Sequence, residues 1–278
     1  MIAASNGLAG AAEKNGVILE LKDIHMYFGK VCALNGISLQ IRKGEIHSVI
    51  GPNGAGKTVM MNIINGIYRP QQGEITFKGQ VINKLNPHKR AELGISRTFQ
   101  KIELFAGMTV LDNIRLGRHI RLKSGILSGA IYWGKTAREE IKNREFIEEE
   151  IIDLLEIEHI RHKPVGMLPY GLQKRVELGR ALALEPELLI LDEPLAGLNL
   201  EEVEDMARFI LDVNEEKRWR VTCLLVEHDM GVVMDLSDRI FVLNFGNMII
   251  DGTPKEIQNH PEVIKAYLGE DDLYATRR

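Results

Sequence analysis

Residues Gly51 to Thr58 read GPNGAGKT, which satisfies the spacing G-x-x-x-x-G-K-[ST]. Gly51, Gly54 and Gly56 let the backbone curl so that successive N–H groups turn toward phosphate oxygens, and the helix that follows adds its positive end. Lys57 supplies a point charge for β- and γ-phosphates, and Thr58 a hydroxyl for Mg²⁺. The chemistry requires a strand before the loop and a helix after it. GEIHSVIG precedes it, and KTVMMNIINGIY follows with Val59, Ile63, Ile64 and Ile67 at helical spacing. A Gly-rich turn with a chance lysine would lack that setting.

A metal at such a loop needs a second oxygen donor, and LLILDEP offers Asp192 at the end of an apolar strand with Glu193 next to it. Asp192 is expected to bind Mg²⁺ through water, while Glu193 faces the γ-phosphate and orients or deprotonates an attacking water. Without the phosphate loop, two acids after a strand would be ordinary helix N-terminal residues. A further apolar strand ends in VEHD. Parallel strands gather their C-terminal ends in one crevice, so His228 is placed to reach the same phosphate.

The elements that position these groups alternate along the chain. VILELKDIHMYF and ISLQIRKGEIHSVIG alternate apolar and polar residues and read as strands, broken by the turn-like pairs Asn35-Gly36 and Lys43-Gly44. From about Thr98 to Leu168 the character changes: TAREEIKNREFIEEEIIDLLEI puts Ile147, Ile151, Leu154 and Leu155 on one stripe of an amphipathic helix. Its run Glu148, Glu149, Glu150 reads as a solvated face. After Leu172, apolar strands alternate with helices again, the pattern of a parallel sheet covered on both faces. IFVLNFGNMIIDGTP reads as a hairpin turning at Gly246-Asn247, and HPEVIKAYLG as a closing helix. The sum is an α/β core interrupted by a helical insertion. Residues 1–16 are rich in Gly, Ala, Ser and Asn and read as a disordered tail.

The 278 residues are 45% apolar, enough to fill a large core, which excludes general disorder. Thirty-five Lys and Arg against 39 Asp and Glu leave a charge of -4, so there is no bulk attraction to nucleic acid or anionic lipid. The two cysteines, Cys32 and Cys223, sit in strand-like runs without metal or disulfide spacing, which fits a reduced, cytosolic setting. No stretch approaches the roughly 18 apolar residues of a membrane span. The start lacks a basic region followed by a long apolar one, so the expectation is a chain neither secreted nor inserted.

With these motifs in order, the chain from about Val17 to Leu268 resembles the nucleotide-binding subunit of an ABC transporter. GPNGAGKT resembles the Walker A loop of that family, LLILDEP its Walker B strand with the catalytic Glu193, Gln100 in SRTFQ its Q-loop residue, and His228 its H-loop histidine. The resemblance implies an α/β P-loop NTPase (RecA-like) core with an N-terminal antiparallel β subdomain and an inserted α-helical subdomain at about 101–174, all within one ATPase domain spanning 17–278. It implies ATP and Mg²⁺ as ligands, with Lys57, Gln100, Glu193 and His228 in catalysis and Thr58, Gln100 and Asp192 around the metal. Gly51, Pro52, Asn53, Gly54, Ala55, Gly56, Lys57, Thr58, Val59 and Gln100 would contact the nucleotide. Phe28 matches the aromatic on which adenine stacks, with Tyr27 as the neighbouring choice and core packing as the alternative for either.

LFAGMTVLDNI, the insert LKSGILSGAIYW, LDEPLAGLN and GTPKEIQNHPEVIKAYLGE resemble most closely the importers of branched-chain amino acids and related amides. In the insert, Ile126, Leu127, Tyr132 and Trp133 either dock a membrane subunit or pack under the helical segment. The family's signature, Leu-Ser-Gly-Gly-Gln or Leu-Ser-Tyr-Gly-Gln, reads here Leu168-Pro169-Tyr170-Gly171-Leu172 followed by Gln173. Tyr170 and Gly171 would still close over the nucleotide through a helix N-terminus, although Pro169 offers neither hydroxyl nor N–H. The loop Ala196-Gly197-Leu198-Asn199 lacks the usual aspartate. The implied partners are a second ATPase subunit bound head to tail (a homo- or heterodimer), membrane permease subunits and, indirectly, a substrate-binding protein. Nucleic acid is not among them. The implied location is peripheral, on the cytoplasmic face of a membrane. The rivals are an ATP-gated binding subunit with weak turnover and the ATPase of a lipid exporter. An ABC ATPase of repair or translation fits less well, since the chain has no coiled-coil arm, second cassette or basic stripe.

Overall fold

The computed structural model describes residues 16–119 and 135–266. The tail at 1–15, the insert residues Ile126, Leu127, Tyr132 and Trp133, and the end of the closing helix lie outside them. Two sheets organise the chain. The first is antiparallel, in the order β2-β1-β4-β5, from β1 (Val17–Phe28), β2 (Val31–Arg42), β4 (Gln72–Phe77) and β5 (Gln80–Val81). The second runs β10-β9-β3-β8-β7-β6 and holds β3 (Ile46–Ile50), β6 (Ile95–Arg97), β7 (Leu188–Asp192), β8 (Thr222–Val226), β9 (Arg239–Asn244) and β10 (Asn247–Gly252). Its pairs are parallel except for the edge pair β9–β10.

Every residue of β3, β7 and β8 is buried, as their unbroken apolar runs require in a sheet covered on both faces. Successive residues enter opposite layers. Leu189, Leu191, Cys223 and Leu225 share one buried cluster with Ile147, Ile151 and Leu155 of the helical segment and with Phe209. Leu188, Ile190, Leu224 and Val226 pack on the other side with Met60, Ile63 and the antiparallel sheet. Helix α1 (Lys57–Ile64) follows the Gly-rich loop. Further α-helices are α2 (Pro87–Glu92), α3 (Val110–Gly117), α4 (Lys135–Phe146), α5 (Tyr170–Leu182), α6 (Leu200–Glu215), α7 (Met230–Leu236) and α8 (Pro254–Gln258).

The amphipathic stripe continues from α4 through a π-helical segment, Ile147–Ile152. There Ile147, Ile151 and Leu155 are buried and Leu154 is partly so. In the acidic run, Glu148 pairs with Arg144 and Arg161, and Glu150 with Arg218.

Two turn assignments are corrected. Asn35-Gly36 is not a turn. β2 runs through it, and because Met26 pairs with Leu34 while Ile24 pairs with Ile37, β2 carries one extra residue, which is a bulge. Gly36 takes φ 66° there. The closing hairpin turns at Phe245-Gly246 rather than Gly246-Asn247, since Asn247 pairs with Asn244. Phe245 (φ 43°) and Gly246 (φ 76°) both have positive φ, as a two-residue hairpin turn of the mirror-image type demands.

Candidate functional site

The loop Gly51–Gly56 joins β3 to α1 at the C-terminal end of the parallel strands. Gly51 and Gly56 are fixed by close approach: a Cβ would lie 2.0 Å from the Leu243 carbonyl oxygen at Gly51, and 2.7 Å from that of Ala33 at Gly56. Gly54, at φ 80°, faces open space, and Ala55 is buried. Pro52 and Val59 are half-buried, and Asn53 and Thr58 are exposed. Lys57 folds back so that its ammonium donates to the Gly51 carbonyl and, at 3.1 Å, to that of Pro52. Burial lowers its pKa, while the charges of Glu193 and Asp192 pull in the opposite direction. The result is a Gly-rich loop with a cation folded against its backbone carbonyls, a charge that suits a phosphate chain.

Asp192 ends β7 and is buried. Its Oδ2 accepts from the Arg97 guanidinium at 2.7 Å, and the same guanidinium donates to Asn62 Oδ1 on α1 at 2.6 Å. Arg97 was not read from the sequence as a site residue. It sits three residues before Gln100, at the tip of β6, where it pairs in register with Ile190. Both partners of the Arg97–Asp192 pair are over nine-tenths buried. Arg97→Met strands a buried carboxylate and should destabilise the chain by about 3–5 kcal/mol, seen as a lower urea midpoint with an unchanged slope; an unchanged midpoint would mean that water reaches Asp192.

Glu193 is where the site residues meet. Its N–H donates to the Val226 carbonyl on β8 at 2.9 Å, and its backbone takes φ 50°, a conformation that costs about 1–3 kcal/mol and collects at functional sites. One carboxylate oxygen accepts from Gln100 Nε2 at 2.7 Å, and the other lies 2.6 Å from His228 Nε2. The β6, β7 and β8 ends therefore converge on a single carboxylate. Two buried acids brace this junction, and neither was read as part of it. Glu227 accepts from the Leu195 N–H at 2.8 Å and the His228 N–H at 3.1 Å, and burial raises its pKa. Glu177 accepts from the Phe99 N–H at 3.2 Å, with its pKa likewise raised by burial.

The remaining candidates lie around this junction. Phe28 is 44% and Tyr27 39% exposed, so neither is a core residue. Phe28 stands edge-on to Tyr68 with ring centroids 5.3 Å apart, while Tyr27 lies near-parallel to His25. Pro169 is the N-cap of α5 and provides no side-chain cap. Tyr170 packs against Gly197, and Gly171 abuts Glu202 so closely that a Cβ would come within 2.1 Å of Oε1. The structure thus sets Tyr170 and Gly171 against the loop after β7, and Asn199 starts α6 there through a reciprocal capping box with Glu202.

No group of three or more His, Cys, Asp or Glu poised to hold a metal occurs among the described residues. The Thr58 hydroxyl and the Asp192 carboxylate are hard oxygen donors of the kind Mg²⁺ takes in ones and twos beside substrate phosphates.

A phosphate loop between strand and helix, with carboxylates at the end of β7 two strands away across β8, defines a P-loop nucleotide-binding protein. Residues 34–196 match the ABC transporter family, and residues 248–272 match the branched-chain amino acid ATP-binding cassette transporter family. The high-affinity branched-chain amino acid transport ATP-binding protein LivG of Salmonella typhimurium is 42% identical over 255 residues, 91% of this chain and 98% of that protein. Its counterpart BraF of Pseudomonas aeruginosa is 40% identical over 253 residues, with the same coverage. Among solved structures, the ADP conformation of an ATP-binding cassette of an ABC transporter matches with a TM-score of 0.78 at 31% identity, covering 91% of this chain and 99% of that one. A dimeric post-hydrolysis cassette bound to ADP and phosphate matches at 0.71 and 25% identity, covering 85% and 99%. The chain belongs to the ABC transporter family, as one of its nucleotide-binding cassettes.

Proposed function

We propose that this chain binds and hydrolyses ATP as the energising subunit of an ABC importer, and that the transported solutes are branched-chain amino acids or related small amides. The observation that carries hydrolysis is the pair of donors, Gln100 and His228, on the single Glu193 carboxylate. The names of the relatives and the match at residues 248–272 support the substrate class.

Phosphoryl transfer to water needs positioning and charge neutralisation more than covalent chemistry. The Gly51–Gly56 amides and the Lys57 ammonium hold the β- and γ-phosphates, and Phe28 offers its exposed face to adenine. Glu193 orients the attacking water and takes its proton. His228, in the Nε2–H form that a carboxylate partner requires, and Gln100 fix which way that carboxylate points. Thr58, Gln100 and Asp192 would hold Mg²⁺, which when bound neutralises phosphate charge. The helical segment at about 101–174 acts as a subdomain of its own, and Gln100 at its junction with the core reports the site's state to a membrane partner. A second cassette, permease subunits and, indirectly, a binding protein complete the assembly, with this chain peripheral on the cytoplasmic face. Uptake of labelled leucine, in cells of the source organism with and without this chain, tests the substrate class; uptake unaffected by loss of this chain refutes it.

Pro169 favours a second reading, an ATP-gated subunit with weak turnover. In a head-to-tail dimer, residue 169 of one subunit faces the ATP of the other. Pro169→Ser introduces a hydroxyl whose hydrogen bond to charged phosphate is worth about 1.5–3 kcal/mol if fully formed. The same hydroxyl suits the N-cap of α5. Turnover by the assembled dimer is expected to rise about tenfold or more. If mixing Pro169→Ser with Lys57→Ala in one chain does not raise turnover at the opposite site, the amides near Gly171 already do this work.

A further inference from the structure

Two turn-like pairs stood out in the sequence, Asn35-Gly36 and the hairpin tip around Gly246, and neither is absorbed by the site above. The fold brings them together behind the phosphate loop. The Gly246 N–H donates to the Ala55 carbonyl at 2.8 Å, and the Gly246 carbonyl accepts from the Asn35 N–H at 2.8 Å. The Asn35 side chain closes the ring by donating to Asn247 Oδ1 at 2.9 Å, and Asn247 Nδ2 donates back to the Phe245 carbonyl at 3.0 Å. The same two strands press on the ends of the loop, Leu243 at Gly51 and both Ala33 and Leu243 at Gly56.

We infer that the Phe245-Gly246 turn and the Asn35 bulge form a clasp that positions the phosphate loop for nucleotide. The argument is geometric. In a trans peptide the carbonyl and the following N–H point in opposite directions, and no described peptide is cis. Holding the Ala55 carbonyl against Gly246 therefore turns the Gly56 N–H away from the hairpin, the direction left for phosphate oxygens. A released Ala55 carbonyl could rotate its oxygen into the loop, where it would repel phosphate. Gly246 is required on two counts: its φ is 76°, and a Cβ would lie 2.7 Å from the Ala33 carbonyl oxygen. The clasp also ties the loop to β2, whose partner strand β1 ends at Phe28, so the phosphate and adenine contacts are held by one frame.

This inference rests on the nucleotide reading of the site, and ADP binding separates the two. ADP titrated calorimetrically into the full chain with Mg²⁺ should bind the parent; no binding there overturns the site itself. Gly246→Ala should raise the ADP Kd about tenfold. It should also raise the KM for ATP while leaving kcat at saturating ATP within about twofold, a split that a loss of stability alone would not produce. Asn35→Ala and Asn247→Ala, both at exposed positions, should each raise the ADP Kd about two- to threefold, and the double variant should match the larger single effect because the two share one bond. If Gly246→Ala does not fold, the asparagine pair decides. ADP affinity at the parental value in folded variants, or single effects that add in full, overturns the clasp.

Discussion

Glu193→Gln should lower ATP hydrolysis by about 10²–10⁴-fold, the range of a general base, while Mg²⁺-ATP continues to bind. Glutamine keeps the volume and one acceptor oxygen, but it cannot take a proton. It also presents an NH₂ to one of two neighbours that are themselves donors, Gln100 and His228, so the junction loses its common acceptor. The nucleotide contacts of Lys57 and the loop amides are untouched. The loss should therefore fall on kcat with little change in KM, the pattern of an interaction used only in the transition state. Phosphate release and equilibrium ATP binding, measured on the same preparation, check both halves. Hydrolysis at the parental rate would mean that Glu193 has been given the wrong role.

Lys57→Ala should abolish nucleotide binding at working concentrations, because the deleted ammonium is the only side-chain cation of the Gly51–Thr58 loop. Charge-assisted hydrogen bonds of this kind contribute about 1.5–3 kcal/mol each, and two to the β- and γ-phosphates raise the Kd by at least 100-fold. The thermal stabilisation that ATP gives the parent should vanish in parallel, since it depends only on occupancy. A pH dependence follows from the same group. Burial lowers the Lys57 pKa in the free chain, and bound phosphate favours the charged form, so binding takes up protons in the alkaline range. ATP affinity should fall as pH rises through the lowered free-chain value, and Lys57→Arg should flatten that fall. Affinity independent of pH in the parent would show that Lys57 does not touch the phosphates.

The parts of this site visible in the sequence are those whose chemistry depends on neighbours along the chain. GPNGAGKT carries its strand and helix with it, and Asp192, Glu193 and His228 sit at the ends of apolar runs that only a covered parallel sheet accommodates. Arg97, Glu177 and Glu227 were not visible, because each acts across strands or helices: Arg97 on Asp192 and Asn62, Glu177 on the Phe99 amide, Glu227 on the Leu195 amide. Nothing within a few residues of them announces that partner. The two misplaced turns have the same origin. Asn-Gly favours positive φ, which serves a bulge as well as a turn, and only the pairing of β2 with β1 decides between them. At the hairpin, Phe245 carries a positive φ that its residue type disfavours, so the cross-strand register overrides local preference.

The most direct test of the central claim is phosphate release from ATP by the purified chain across a range of protein concentrations, with Mg²⁺ present and then chelated. ATP shared between two cassettes predicts release that requires Mg²⁺ and a specific activity that rises with protein concentration as dimers form. No release above the buffer blank at any concentration, or release indifferent to Mg²⁺, would contradict the assignment of Glu193 and its neighbours as an ATP-hydrolysing site.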